Sequence, residues 1–278
     1  MPLPPLIGHE GVKTRLAGAH ASGKLPQAIL LTGPRGVGKQ RLALWLAQLI
    51  QCDAPGQEPC GECRSCRLVQ TLQHPDVHWF VPVELSKKGG STGDADKQVE
   101  LASEALAEEM AARREQPKYA PVVGLASHPV ASVRLLLKRL ALTPAMGARK
   151  VFIVGDAERL IPQVGTDVAA NALLKALEEP PADSVIILTA ADPNALLPTV
   201  LSRVVLVRVA RLADSDVTAF AQQTFGNLSQ DELAQRVNAV EGCIGKLFAT
   251  EVSRSGQSDQ ATRFMNAPLQ YALGQLPF

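Results

Sequence analysis

The sequence has no surplus of either charge: 28 Lys and Arg stand against 27 Asp and Glu, a formal net charge of +1 over 278 residues. That removes any global reason to expect nucleic-acid or membrane binding and leaves only local contacts. No apolar run is long enough to span a bilayer, and the opening Met1-Pro-Leu-Pro-Pro-Leu6 lacks the charged start and long apolar core of a signal peptide. Internal repeats are absent too. These absences point to a cytoplasmic protein without a membrane role. In that compartment disulfides are a poor explanation for five cysteines, four of which crowd between Cys52 and Cys66. What the chain has in quantity is apolar: 46% of its residues are hydrophobic, ample for a core, and its length suits more than one domain.

One stretch organises the rest. Ile29 to Leu31 is an apolar run that fits a buried strand, Gly33-Pro34-Arg35-Gly36-Val37-Gly38-Lys39-Gln40 is a glycine-rich turn, and Leu42, Leu44, Trp45 and Leu49 follow in an apolar-periodic segment. Strand, loop, helix is the context of a phosphate-binding P-loop. Gly33, Gly36 and Gly38 let backbone N–H groups converge on phosphate oxygens, Lys39 reaches the terminal phosphates, and the helix start adds a partial positive charge. The Ser or Thr whose hydroxyl would hold Mg²⁺ is replaced by Gln40. ATP binding through these residues stays open, but efficient hydrolysis is not expected. A plain Gly/Pro turn is the rival reading, and Gly38-Lys39 at the right offset argues against it.

The cysteines follow the P-loop helix. Cys52, Cys60, Cys63 and Cys66, two successive Cys-x-x-Cys steps plus a fourth thiol across a Pro/Gly loop, suit a tetrahedral Zn²⁺ site with four thiolates. Four thiolates leave no open position, so the site is read as structural. An iron–sulfur cluster is the alternative, opposed by the lack of any redox-partner motif. His74 and His78 lie close by but are not needed to complete the set, and the lone Cys243 reads as a small buried hydrophobe.

The remaining chain alternates strands with helices. Residues 7–24 suit a helix ahead of the first strand, with His9 as a surface or capping residue, and His74 to Val81 a turn into a second strand. Residues 84–118 read as an exposed insertion carrying a solvated Ala/Glu-rich helix from Asp96 to Glu115. Val130 to Leu142 is an amphipathic helix, and Val151 to Val154 an apolar strand ending near a carboxylate. P-loop ATPases place a metal-holding Asp and a catalytic base at the end of such a strand. Here those positions are Gly155 and Asp156, so the two Mg²⁺-linked positions, Gln40 and Gly155, are lost together. A helix from Asp167 to Glu179 and strands at Val185–Thr189 and Val204–Val209 complete a parallel sheet covered on both faces. From Leu212 onward the pattern is helical: Asp214 to Phe225, a capping box at Ser229-x-x-Glu232, then Leu233, Val237 and Val240 on one face, and a further helix start at Gly242–Lys246.

Asn171-Ala-Leu-Leu-Lys-Ala-Leu-Glu-Glu-Pro-Pro181, then Leu201-Ser202-Arg203, with the cysteine module directly after the P-loop helix and His74-Pro75-Asp76 behind it, resemble the clamp-loader branch of the AAA+ ATPases over about residues 7–250. The fold class implied is α/β: a P-loop, RecA-like parallel sheet over residues 1–211 with a zinc module at about 52–66, followed by an all-α region at 212–278 that holds a helical lid and a shortened collar. The resemblance implies membership of the bacterial DNA polymerase III holoenzyme, a DNA-directed DNA polymerase, as a replication subunit without polymerase chemistry of its own. Its partners would be the gamma/tau and delta subunits, with the sliding clamp and primed DNA met through the assembled complex. Arg203 would be an arginine finger, acting in trans on a neighbour's ATP. Val204 stands where the family's Ser-Arg-Cys motif has Cys, Ala190-Ala191 where a polar sensor residue follows the strand, and Lys246 where a second sensor is normally arginine. Together with Gln40 and Gly155 these departures resemble the family's non-hydrolysing stator. An active gamma/tau-type loader ATPase and a zinc-bearing adaptor without nucleotide chemistry are the alternatives.

Overall fold

The computed structural model describes residues 3, 5–85, 95–115, 126–160, 168–226 and 229–248. Helix α1 (Glu10–Ala21) leads into β1 (Ala28–Thr32), and the glycine loop turns the chain into α2 (Lys39–Gln51). After the cysteine loop come α3 (Arg64–Gln70), β2 (Val77–Phe80), α4 (Ala95–Glu115) and α5 (Val130–Leu140). Then β3 (Lys150–Val154), α6 (Val168–Glu178), β4 (Ser184–Ala190), the short α7 (Pro198–Leu201) and β5 (Val205–Arg208) finish the sheet. Helices α8 (Asp214–Phe225) and α9 (Gln230–Val240) follow it.

The five described strands pair in parallel, in the order β2-β3-β4-β1-β5. Because side chains alternate across a strand, a sheet with both faces covered needs apolar residues at every position. β1 shows this directly: Leu30 packs on the side of α5 and α6 with Phe152, Leu136 and Leu173, while Ile29 and Leu31 pack on the side of α1 and α2 with Leu16, Leu42 and Leu46. β5, at the edge, is the exception, with Val205 and Leu206 half exposed.

The helix expected as solvated is so on its outer side only. Val99, Ala102 and Leu106, spaced three and four apart, are buried with Val133 and Leu136 of α5, so α4 is one more layer on the core. The flanking segments 86–94 and 116–125 lie outside the described residues. After the sheet, Leu212, Val217, Phe220, Leu233, Val237, Leu247 and Phe248 form a separate apolar cluster, with Phe220 and Phe248 in edge-to-face contact at 5.8 Å. Ser229 and Glu232 make both halves of the capping box, and the helix expected at Gly242–Lys246 starts at Gly245. Most of the collar region, residues 249–278, lies outside the described residues. No described helix is long and apolar enough to cross a membrane.

Candidate functional site

The glycine loop sits at the carboxyl end of β1. Gly33 is required by close approach, since a β-carbon there would stand 2.2 Å from the Val209 carbonyl oxygen. Gly38, at φ 104, occupies a conformation that side chains rarely adopt. Lys39 is buried, and its Nζ donates to the carbonyls of Gly33 (2.7 Å) and Pro34 (2.9 Å). Burial lowers its pKa, while Asp156 and Glu158 work against that shift. Instead of capping α1, His9 hydrogen-bonds the Val37 carbonyl through Nε2 (2.9 Å). Burial holds its pKa below the usual value, so it props the loop as a neutral ring.

At the position of the missing hydroxyl, the Gln40 carboxamide crosses to the end of β3. Its Nε2 donates to Asp156 Oδ2 (3.1 Å), and it packs on Gly155 so closely that a β-carbon there would meet Nε2 at 3.0 Å. The Asp156 N–H donates to Thr189 Oγ1 (3.0 Å), and the Ala191 N–H to Glu158 Oε1 (3.2 Å). The polar side chain at the end of β4 is therefore Thr189, and it is engaged with backbone. Mg²⁺ demands near-octahedral oxygen ligands. Here an amide NH₂ points at the Asp156 carboxylate, and residue 155 has no side chain. These residues do not fit a magnesium ion.

Around the loop is a cleft of about 140 Å³. One side carries Arg35, Lys39, Gln40 and Arg41, with Arg41 pushed down to about 10 by burial. The other side is apolar, built by Phe220, Ile244 and Phe248. The Gly245 N–H donates to the Gly36 carbonyl (2.8 Å), which docks the C-terminal helices on the phosphate loop. Lys246, at the position where the family normally has a second-sensor arginine, pairs with Glu241 at 3.6 Å, as Arg211 does at 3.0 Å. Among the cleft residues that the sequence reading missed are Trp79, and Arg113 stacked on its ring at 4.5 Å. Arg113 comes from α4, and no local pattern ties that helix to the loop.

The four cysteines come together as expected, with all four sulfurs within 4.8 Å of one another. A zinc–sulfur length of about 2.3 Å in a tetrahedron requires sulfurs about 3.8 Å apart, and Cys60 and Cys66 stand at 3.9 Å. The N–H groups of Cys60, Cys63 and Cys66 donate to the sulfurs of Cys52, Cys60 and Cys63 at 3.3, 3.4 and 3.3 Å. Such bonds from Cys63 and Glu62 draw the Cys60 thiol down to about 7, while burial pushes Cys52 and Cys66 up. A divalent ion resolves that conflict, because it takes all four as thiolates. The residues fit zinc. Glu58, inside the cysteine loop, accepts from Lys13 of α1 (2.8 Å) and from the Trp45 indole of α2, so the module braces both helices.

Arg203 stands apart from the cleft. Its Nη1 donates to the Thr199 carbonyl (2.9 Å) and to Ser202 Oγ (3.2 Å), and its Nε lies 3.4 Å from Glu178. Arg203 lies in the turn just before β5, whose Val205 pairs with Ile29 near the amino end of β1. Four strand steps, roughly 13 Å, separate Ile29 from Gly33.

The family model described as DNA polymerase III, delta subunit matches residues 8–213. The chain belongs to this family. The DNA polymerase III subunit delta' of Escherichia coli (strain K12) is 28% identical over 236 residues, which are 84% of this chain and 57% of that protein. The delta' subunit of Pseudomonas aeruginosa is 34% identical over 180 residues, 64% of this chain and 41% of its own. A DNA polymerase III subunit tau from Salmonella typhimurium is 27% identical over 237 residues, 85% of this chain and 29% of that one. The chain thus spans about half the length of the delta' relatives it matches. Among solved structures, a gamma subunit-related protein of Thermotoga maritima aligns with 93% of this chain and 65% of its own at 19% identity and a TM-score of 0.43.

Proposed function

We propose that the chain is a delta-prime-type stator of a bacterial clamp loader. It does not hydrolyse ATP. It takes a place beside gamma/tau and delta subunits and offers Arg203 to a neighbour's ATP while the sliding clamp is loaded on primed DNA. The observation that carries this reading is the Gln40–Gly155 contact, which fills the place a catalytic magnesium needs.

Arg203 suits work in trans because it is too far along the sheet to serve this chain's own loop. A guanidinium presents a planar fork of donors and neutralises charge that develops on a transferring phosphoryl group. Its present partners are local: a helix carbonyl, a hydroxyl and the exposed Glu178 carboxylate. The pair joins a half-buried arginine to an exposed carboxylate; ion pairs near the surface contribute about 0–1 kcal/mol, so exchange for a phosphate costs little. Zinc, held by Cys52, Cys60, Cys63 and Cys66, acts structurally, and DNA is met through the assembled ring rather than through this near-neutral chain. A replication role places the protein in the cytoplasm.

The purified chain, given ATP and magnesium, is the test. No turnover above background is expected from it alone, with hydrolysis seen only once partner subunits are added. Magnesium-dependent turnover by the isolated chain would favour the gamma/tau-type ATPase instead.

A further inference from the structure

At the opposite end of the sheet from β5, a second cavity of about 200 Å³ lies between edge strand β2 and helix α4, with Arg139 of α5 in its wall. We infer that this cavity binds a small carboxylic acid with an apolar body, held through the Arg139 guanidinium. The inference is independent of the Arg203 proposal.

The cavity follows from the sequence of α4. Val99, Ala102 and Leu106 pack on α5, whereas Ser103, Leu106, Ala107 and Met110, at the i, i+3, i+4, i+7 spacing of one helix face, line the cavity beside β2. Ser103 and Ala107 are small and leave unfilled a space that larger side chains would occupy. Leu44, Leu72 and Val77 supply apolar wall from the other elements. Trp79 and Leu44 also line the phosphate-loop cleft, but Arg139 and Ala107 do not.

The charge in this wall is unbalanced. No Asp or Glu lines the cavity. His78 is neutral at pH 7, because burial, with the Arg139 charge adding to it, drives its pKa down to about 4. Arg139 is half-buried, and among the described residues its guanidinium meets only Ser103 Oγ, at a long 3.4 Å, and the face of Phe80 at 5.9 Å. Neither contact neutralises it. By contrast Arg113, on the Trp79 ring, has Glu109 at 2.8 Å. Burying a charge without a counter-ion is costly, and burial lowers the Arg139 pKa with no acidic group opposing the shift. Trp79, in the same wall, has a buried indole N–H that meets no acceptor among the described residues.

A carboxylate supplies what is missing: two oxygens that match the guanidinium fork, and one negative charge for one positive. A phosphate monoester would bring a second charge to a wall with no second cation. The apolar lining sets the remainder of the ligand. A cavity of about 150 Å³ holds benzene, so this one accommodates an acid the size of benzoate.

The test is a benzoate titration of the zinc-loaded full chain, followed by ¹H–¹⁵N magnetic resonance. The chain has two tryptophans, Trp45 and Trp79, whose indole signals are told apart by Trp79→Phe. The Trp79 signal should shift saturably with a Kd of about 1 mM or below. The Trp45 signal, from an indole held by Glu58, should stay in place. Benzamide, of the same shape without the charge, and phenyl phosphate should each bind at least about tenfold more weakly. Arg139→Gln should weaken benzoate by about tenfold or more, and Ala107→Leu, which fills the cavity, should abolish the shift. A retained Trp45 signal shows that each variant is folded. Absence of saturation by about 10 mM, benzamide binding as well as benzoate, or full affinity in Arg139→Gln would overturn the inference. Phenyl phosphate binding more tightly than benzoate would overturn the carboxylate assignment.

Discussion

The Gln40 carboxamide and the α-carbon of Gly155 are in contact, close enough that a β-carbon on residue 155 would stand 3.0 Å from Nε2 and 3.1 Å from the amide carbon. The two positions a magnesium site depends on are therefore one packing unit, and each replacement makes room for the other. A side chain at 155 would have to displace Gln40, and a short hydroxyl at 40 would leave a gap beside Gly155.

That unit predicts coupled stabilities. Gly155→Asp alone should destabilise the chain by about 1–2 kcal/mol, because it pushes Gln40 off Asp156 into a tighter space. With Gln40→Ser present, the same substitution should cost less by about 1 kcal/mol. Urea unfolding of the two single variants and the double variant measures the coupling. Additive effects would mean the side chains do not interact.

Zinc content should follow the four thiols. Elemental analysis of the purified chain is expected to find zinc at one equivalent, and Cys66→Ser, at the buried corner of the cluster, should lose it. Loss of zinc also removes the support for Glu58, and with it the ties to Lys13 and Trp45. The unfolding temperature should then fall on the order of 10 °C. A brown protein containing iron would restore the cluster alternative.

Stability should decline on mild acidification. Burial drives His128 and His78 down to about 4, and Arg139 adds to the effect on His78. Their unfolded pKa is near 6.5, so between pH 6.5 and about 4 the unfolded chain binds protons that the folded chain refuses. Stability is accordingly full above pH 6.5 and falls as the pH drops through that window. His128→Gln keeps a donor for the Gly155 carbonyl, which His128 Nε2 meets at 2.7 Å, and removes the titrating group. Thermal melts from pH 7.5 to 4.5 should show a shallower slope for this variant, and an unchanged slope would contradict the assignment.

Much of the fold was legible because its strands are short apolar runs between turn residues. Val151–Val154 and Val185–Thr189 are buried on both faces and read as such. The cysteine spacing announced its cluster for a similar reason, since four ligands within fifteen residues leave the backbone few other ways to use them. What escaped depends on contacts across long separations. The burial of α4 rests on three small or medium side chains, Val99, Ala102 and Leu106, in an Ala/Glu background where charge dominates the pattern. Arg113 reaches the cleft only because α4 packs on α5 and brings it over Trp79. Lys246 sits at the expected place in the chain, yet Glu241, five residues earlier, claims its charge. The paired loss at Gln40 and Gly155 was visible position by position. Their contact was not, because 115 residues separate them.

Arg203 is proposed to act on a neighbour's ATP. The measurement is steady-state ATP hydrolysis by the complex reconstituted from this chain, its ATPase partner subunits, clamp and primed DNA, with wild-type and Arg203→Ala proteins compared. Assembly should survive the substitution, because among the described residues Arg203 is held by a helix carbonyl, a hydroxyl and the exposed Glu178. Hydrolysis should fall by about tenfold or more. An unchanged rate in an intact complex would contradict the arginine's role and leave the chain a scaffold.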